Sequence, residues 1–167
     1  MKDLTLKQIQ LKLNVPQHVL IHLCEKGVIN PDVAETKGRG QWRQFSNRNL
    51  FEFAVALELR KYQIPVAVTG AIIRLLNSFE KGVQRSLNEF SLPDSLSKRP
   101  EIELYIYDGE LAVFSIGKKS FLAYDLARAL NSKSGTPKIE KLSSLPSDYK
   151  SYLTLNLSEL ASVTLLP

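Results

Sequence analysis

The chain has a single cysteine, Cys24, and only two histidines, so several kinds of site are excluded at the outset. One thiol can build neither a disulfide framework nor a zinc site of several cysteines. No stretch approaches the roughly 18–20 consecutive apolar residues that a membrane span requires. The amino-terminal residues lack the apolar core and the small-residue cleavage site that are typical of a secretion signal. We therefore expect a soluble, cytoplasmic protein without a membrane partner.

The sequence also lacks the residue combinations that usually carry out catalysis. No histidine lies beyond His22, and no nucleophile–base pair or glycine-rich phosphate loop is present. His18 and His22 have the spacing of two metal ligands on a helix, but no third ligand follows nearby in the sequence. We expect no enzymatic activity, no cofactor and no metal site.

What the chain does have is an uneven distribution of charge. Its 167 residues carry a formal net charge of +5. Residues 1–90 contain 13 Lys and Arg against 8 Asp and Glu, whereas residues 91–167 contain 9 of each. A positive excess confined to one half indicates a polyanion or an acidic surface as the partner.

The second half differs from the first in pattern as well as in charge. Proline, serine and charged residues at 91–100 indicate a linker. Beyond it, residues 101–116 alternate as strands do around Asp108-Gly109, which predicts a β-hairpin. We expect a helix over Ser120–Asn131 and an extended apolar end over Tyr149–Leu166.

The first half is helical in pattern and begins with two short helices. Thr5 can cap a helix over Leu6–Leu13, in which apolar residues recur at helical spacing. A second helix is expected over Gln17–Lys26, because Pro16 suits a first helical turn and Gly27 a helix end. The pair is a candidate helix-turn-helix, and an ordinary αα-hairpin is the alternative.

A basic, glycine-containing stretch follows the two helices. Lys37, Arg39 and Arg43 surround two glycines, a composition that suits a two-stranded wing approaching a phosphate backbone. Ser46 is the predicted cap of the next helix, which runs towards Tyr62. A further helix is expected from Pro65.

The order of these elements resembles that of the MerR family of winged-helix transcription regulators over about residues 4–76. The segment Glu25–Pro31 is similar to the family's exit from the recognition helix. The segment Gly40–Leu50 is similar to its passage from wing to helix, and Tyr62–Pro65 to the turn before its next helix. The resemblance implies a winged helix-turn-helix that binds double-stranded DNA as a homodimer.

The candidate DNA-binding residues lie in the second helix and in the wing. Where the family has an arginine followed by two tyrosines, this chain has Ile21-His22-Leu23. The remaining polar candidates for base contacts on this helix are Gln17, His18 and His22. In the wing, Arg43 matches the family's phosphate-binding arginine, Lys37 and Arg39 are further cations, and Trp42 contacts the sugar-phosphate edge or anchors the wing.

An apolar seam after Gly70 is the candidate dimer interface. Its members follow heptad-like spacing and are Ile72, Leu76, Phe79, Val83, Leu87 and Phe90. The resemblance implies an antiparallel pairing of two such helices. The alternative is that the seam covers the protein's own second half.

These inferences predict a mainly α chain with a small α+β carboxy-terminal domain. The expected parts are a winged helix-turn-helix at 1–76, a dimerisation helix at 71–90, a linker at 91–100 and a hairpin-containing domain at 101–167. The last part is expected to be an effector or partner module, for a small molecule or a protein. The predicted function is sequence-specific transcriptional regulation on the nucleoid. The alternative is a protein-interaction adaptor without its DNA contacts.

Overall fold

The structure, a computed structural model, describes residues 3–33, 43–96, 101–131 and 139–165. Six helices lie within these ranges: α1 (Leu6–Leu13), α2 (Gln17–Glu25), α3 (Asn47–Lys61), α4 (Val66–Gln84), α5 (Leu126–Asn131) and α6 (Leu157–Leu165). Seven strands accompany them: β1 (Leu4–Thr5), β2 (Gln44–Phe45), β3 (Ile102–Tyr107), β4 (Leu111–Ile116), β5 (Ser120–Asp125), β6 (Ile139–Leu142) and β7 (Tyr152–Asn156). The first two strands pair with each other, and the other five form one antiparallel sheet.

The amino-terminal half begins with the two short helices that the sequence predicts. Thr5 caps α1 in a capping box, in which its N–H donates to the Gln8 side chain at 2.8 Å and its hydroxyl accepts from the Gln8 N–H. Asn14 ends α1 in the left-handed conformation, with a φ of 50°. The prediction that Ser46 caps the next helix is also confirmed, because its hydroxyl accepts from the Arg48 N–H at 3.0 Å.

The fold-class prediction is wrong, because the second half is more than a small hairpin domain. It is built on a five-stranded sheet in the order β6-β5-β4-β3-β7, so the chain is not mainly α. The hairpin itself is confirmed as β3 and β4. The turn between them contains Asp108 and Gly109, whose φ angles of 46° and 73° suit a tight hairpin turn.

The helix predicted over Ser120–Asn131 is instead strand β5 followed by the short helix α5. Phe121 and Ala123 lie on one face of β5, Leu122 and Tyr124 lie on the other, and both faces are buried. A strand that is buried on both faces shows no alternation of apolar and polar residues. Its sequence pattern therefore does not separate it from a buried helix.

The apolar seam predicted to form a dimer packs within the chain. α4 packs on the inner face of the sheet, where the Phe79 ring stacks on Phe114 with the ring centroids 4.3 Å apart. Five members of the seam are buried in this core: Ile72, Leu76, Phe79, Val83 and Phe90. Only Leu87 is exposed, and it lies beyond the end of α4. The seam therefore packs against the protein's own second half, which was the alternative to a dimer interface.

One hydrophobic core extends through both halves of the chain. α3 packs against α6, and α4 packs against α5. In the described part of the predicted linker, Leu92 and Leu96 are buried in the same core. The segments assigned to separate domains from the sequence are thus joined by shared packing.

Arg48 of α3 links the elements around this core by hydrogen bonds. Its guanidinium donates to Glu52 at 2.9 Å, to Glu80 of α4 at 2.8 Å and to Asn77 at 2.7 Å. The other oxygen of Glu80 accepts from the Leu92 N–H at 2.8 Å. Glu80 therefore connects α3, α4 and the start of the second half.

We predict that Glu80→Ala lowers the free energy of unfolding by about 2–3 kcal/mol, because it removes a partner of Arg48 and leaves the Leu92 N–H without its acceptor. The matched control is Glu58→Ala, which removes the exposed ion pair with Lys61 from α3 and should cost about 0.5 kcal/mol or less. Urea unfolding of both variants measures the difference. Equal losses of stability in the two variants would contradict this role of Glu80.

The hydroxyl of Tyr124 is buried without a hydrogen-bond partner among the described residues. Gly82 of α4 lies opposite, where an added Cβ would come within 3.5 Å of this hydroxyl and 3.1 Å of Ile139 Cδ1. The absence of a side chain at Gly82 thus allows α4 to approach the sheet closely. Burial raises the pKa of the Tyr124 hydroxyl, which remains neutral.

We predict that Tyr124→Phe leaves the free energy of unfolding unchanged or raises it by up to about 1 kcal/mol, because a buried hydroxyl without a partner disfavours folding. Tyr105→Phe is the control, since the Tyr105 hydroxyl donates to Glu103 at 2.9 Å. Its removal should lower the free energy of unfolding by about 0.5–1 kcal/mol. A greater destabilisation by Tyr124→Phe than by Tyr105→Phe in thermal unfolding would show that the Tyr124 hydroxyl has a partner.

Candidate nucleic-acid interface

α2 is buried along one side and exposed along the other. Leu20, Leu23 and Cys24 are buried in the core that includes α1 and α3. At 100° per residue, His18 and His22 fall on the opposite side of the helix together with Glu25, whereas Gln17 lies only about 20° from the direction of Cys24. Gln17 and His18 are exposed and His22 is half-buried. The structure therefore brings His18 and His22 together on the outward face of α2, whereas Gln17 is exposed at the first residue of the helix, outside that face.

The segment that follows α2 is fixed to the start of α3. The Asn49 side chain accepts from the Asp32 N–H and donates to the Asn30 carbonyl, each at 3.0 Å. The Asp32 carboxylate in turn accepts from the N–H of Ser46 at 2.9 Å and from its hydroxyl. These bonds hold the exit from α2 and the beginning of α3 in one arrangement, so the outward face of α2 has a defined orientation.

Arg43 lies beside the last turn of α2. It directly precedes β2, which pairs with β1, and its guanidinium lies close enough to the sulfur of Cys24 to interact with it electrostatically. Burial raises the pKa of the Cys24 thiol, although the positive charge of Arg43 acts in the opposite direction. A partly exposed arginine thus stands next to the helix that carries the base-contact candidates. A cation is also favourable at this end of a helix.

The other wing residues named from the sequence, Lys37, Arg39 and Trp42, lie outside the described residues. Three lysines that the sequence analysis did not single out are exposed in the helix-turn-helix: Lys7 and Lys12 on α1 and Lys26 just after α2. The positive excess of residues 1–90 was the signal that could have identified them. They add positive charge to this part of the surface.

Two absences concern the described part of the chain. No group of three or more His, Cys, Asp or Glu there could hold a metal ion, and His18 and His22 lack a third ligand. None of the helices in those ranges combines the length and the apolar character needed to cross a bilayer.

Comparison of the chain with known proteins found no matching family model, no matching curated protein and no matching solved structure. The assignment of the site therefore rests on the placement of its own residues.

Proposed function

We propose that the protein binds double-stranded DNA in a sequence-specific manner and regulates transcription, as the resemblance to the MerR family implies. One observation carries the proposal: His18 and His22 share the outward face of α2, Gln17 is exposed at the start of that helix, and Arg43 stands beside it. A helix that is supported on one side and polar on the other is suited to enter the major groove. The proposal implies a cytoplasmic protein associated with the nucleoid.

Each residue has a separate role in this proposal. Gln17 pairs with the edge of a base, for which adenine is the geometric match of a glutamine side chain, and His18 and His22 donate to bases or phosphates. Arg43 contacts a phosphate and so fixes the register of α2 on the duplex. The wing residues Lys37, Arg39 and Trp42 extend the same contact along the backbone.

The distribution of charge supports a polyanionic partner. The whole net positive charge resides in residues 1–90, which include α1, α2 and the predicted wing. Lysine and arginine side chains near phosphates release condensed counterions, which supplies affinity that does not depend on base sequence. The homodimer stays a prediction, and its interface uses surfaces other than the five buried side chains of the seam.

We predict that Arg43→Ala weakens specific and non-specific DNA binding to a similar extent, because a phosphate contact carries no sequence information. The slope of log K against log salt should fall by about 1 for each phosphate that is no longer neutralised. The control is Lys118→Ala, which removes an exposed cation from the turn between β4 and β5 and should leave the slope unchanged. Fluorescence anisotropy over a salt series measures both. An unchanged slope for folded Arg43→Ala would remove Arg43 from the interface.

We predict that Gln17→Ala and His22→Ala change the preferred DNA sequence more than the affinity for random DNA, because contacts to base edges carry about 1–3 kcal/mol of discrimination each. Selection from a randomised duplex library, with the unmodified protein alongside, measures the preference. Recovery of the same motif by both variants would show that α2 does not contact bases. The absence of any salt-dependent DNA binding by the unmodified protein would favour the adaptor alternative.

A further inference from the structure

The two edges of the five-stranded sheet differ in how they are protected. β6, at one edge, carries the charged side chains of Glu140 and Lys141, both exposed. β7, at the other edge, has the sequence Tyr-Leu-Thr-Leu-Asn, with neither charge nor proline. In the ranges that the structure describes, no strand lies beyond β7. Charged residues on an edge strand hinder pairing with another chain, so β7 lacks a protection that β6 has.

The backbone of β7 offers hydrogen-bonding groups along its outer edge. The Asp108 N–H donates to the Ser151 carbonyl at 3.2 Å. This bond shows which residues of β7 face β3, because Asp108 and Ser151 are opposite each other when the register of β3 and β7 is extended by one residue. Alternate residues of an antiparallel strand bond to the same neighbour, so Leu153 bonds to β3. Tyr152 and Thr154 therefore direct their N–H and C=O groups away from the sheet, about 7 Å apart along the strand.

A groove of about 640 Å³ runs along this edge. Its lining includes three consecutive residues of β7: Thr154, Leu155 and Asn156. Side chains of consecutive strand residues point to opposite faces, so a groove that touches all three is bordered by the edge of the strand. The end of α1, the second half of α3 and the start of α6 form the other walls.

The walls of the groove that face β7 are mainly apolar. They include the side chains of Leu13, Val15, Leu57 and Leu160. The charged residues of the lining balance one another: Lys61 pairs with Glu58 at 2.6 Å, and Lys12 is matched in number by Glu159. An occupant of this groove therefore needs apolar side chains and no net charge.

We propose that β7 binds an extended peptide segment of a partner protein, which adds a sixth strand to the sheet. Its backbone bonds to the outward groups of Tyr152 and Thr154. One set of alternate side chains is apolar and packs against α1 and α3, and the other set lies beside the exposed ring of Tyr152. The partner is thus a chain with alternating apolar and polar residues, and the proposal does not depend on DNA binding.

The shape of the groove favours a single strand over the other occupants. α1 and α3 form walls of the groove beside the edge, so the folded sheet of a second copy approaching β7 would meet these helices. A small molecule would fill the apolar walls, but it would not satisfy donors and acceptors that recur along the strand. Only a peptide backbone repeats those groups with the same spacing.

The test begins with selection of decapeptides from a random phage-displayed library against the full chain. We expect enriched sequences in which apolar and polar residues alternate. The enriched peptides are then synthesised with a fluorescent label and their affinities are measured by anisotropy. In a series in which each peptide amide is methylated in turn, binding should weaken with a period of two residues, because alternate amides face β7. Enrichment without alternation, or weakening without that period, would overturn the proposal.

A pair of proline variants tests the edge from the protein side. Thr154→Pro removes an outward N–H, leaves the bonds to β3 in place and should weaken peptide binding about tenfold, as expected for one backbone hydrogen bond. Lys141→Pro is the matched control on β6, where the N–H also points outward, and should bind normally. Equal affinity of the folded Thr154→Pro variant would contradict the proposal. The proposal would also be contradicted if the unmodified protein sedimented as a dimer and the Thr154→Pro variant as a monomer, because the edge of β7 would then bind a second copy. If Thr154→Pro does not fold, the methylated peptides decide the question with the unmodified protein.

Discussion

Arg48 provides the contact on which the arrangement of the two halves depends. One guanidinium binds carboxylates on α3 and α4, and Glu80 passes the connection on to the backbone of Leu92. Burial raises the pKa of the Glu52 carboxyl, while Arg48 and then Asn49 favour its charged form. The charges in this cluster are little exposed, and each is held by a partner of opposite sign or by an amide. The cluster therefore aligns α3 with α4, and through α3 it orients the segment that leaves α2.

Local signals in the sequence were sufficient for the amino-terminal helices and for the first hairpin. Thr5 and Ser46 are capping residues whose effect extends over only three or four positions, and Asp108-Gly109 specifies its own turn. The full sheet was not predicted because β5 is buried on both faces and so lacks a period of two. The same limitation applies to α4. The spacing of its apolar residues shows that one face of the helix is covered, but it does not show which element covers that face. The helix needs the same spacing of apolar residues whether it packs on a sheet of its own chain or on a helix of a second copy.

The candidate sites differ in how far they could be foreseen. Of the base-contact candidates on α2, His18 and His22 lie on one outward face as helical periodicity requires, whereas Gln17 is exposed because it begins the helix. The contact between Arg43 and Cys24 joins residues that are distant in sequence, so no local pattern contains it. The free edge of β7 is a property of strand order, because the strand is an edge only when β3 has β4 on its other side. From the sequence, residues 149–166 were no more than an extended apolar end.

The shared core has a consequence for the order in which the chain can fold during synthesis. Ribosomes release the amino-terminal half first, yet the apolar face of α4 has no cover until β4 and β5 emerge with Phe114 and Leu122. α3 has no cover on its α6-facing side until α6 emerges, and α6 follows β7 in the sequence. A nascent chain halted near residue 96 would thus leave Phe79 and its neighbours exposed to water, where chaperones bind and where chains aggregate. Completion of the core therefore depends on elements that are translated after the amino-terminal half.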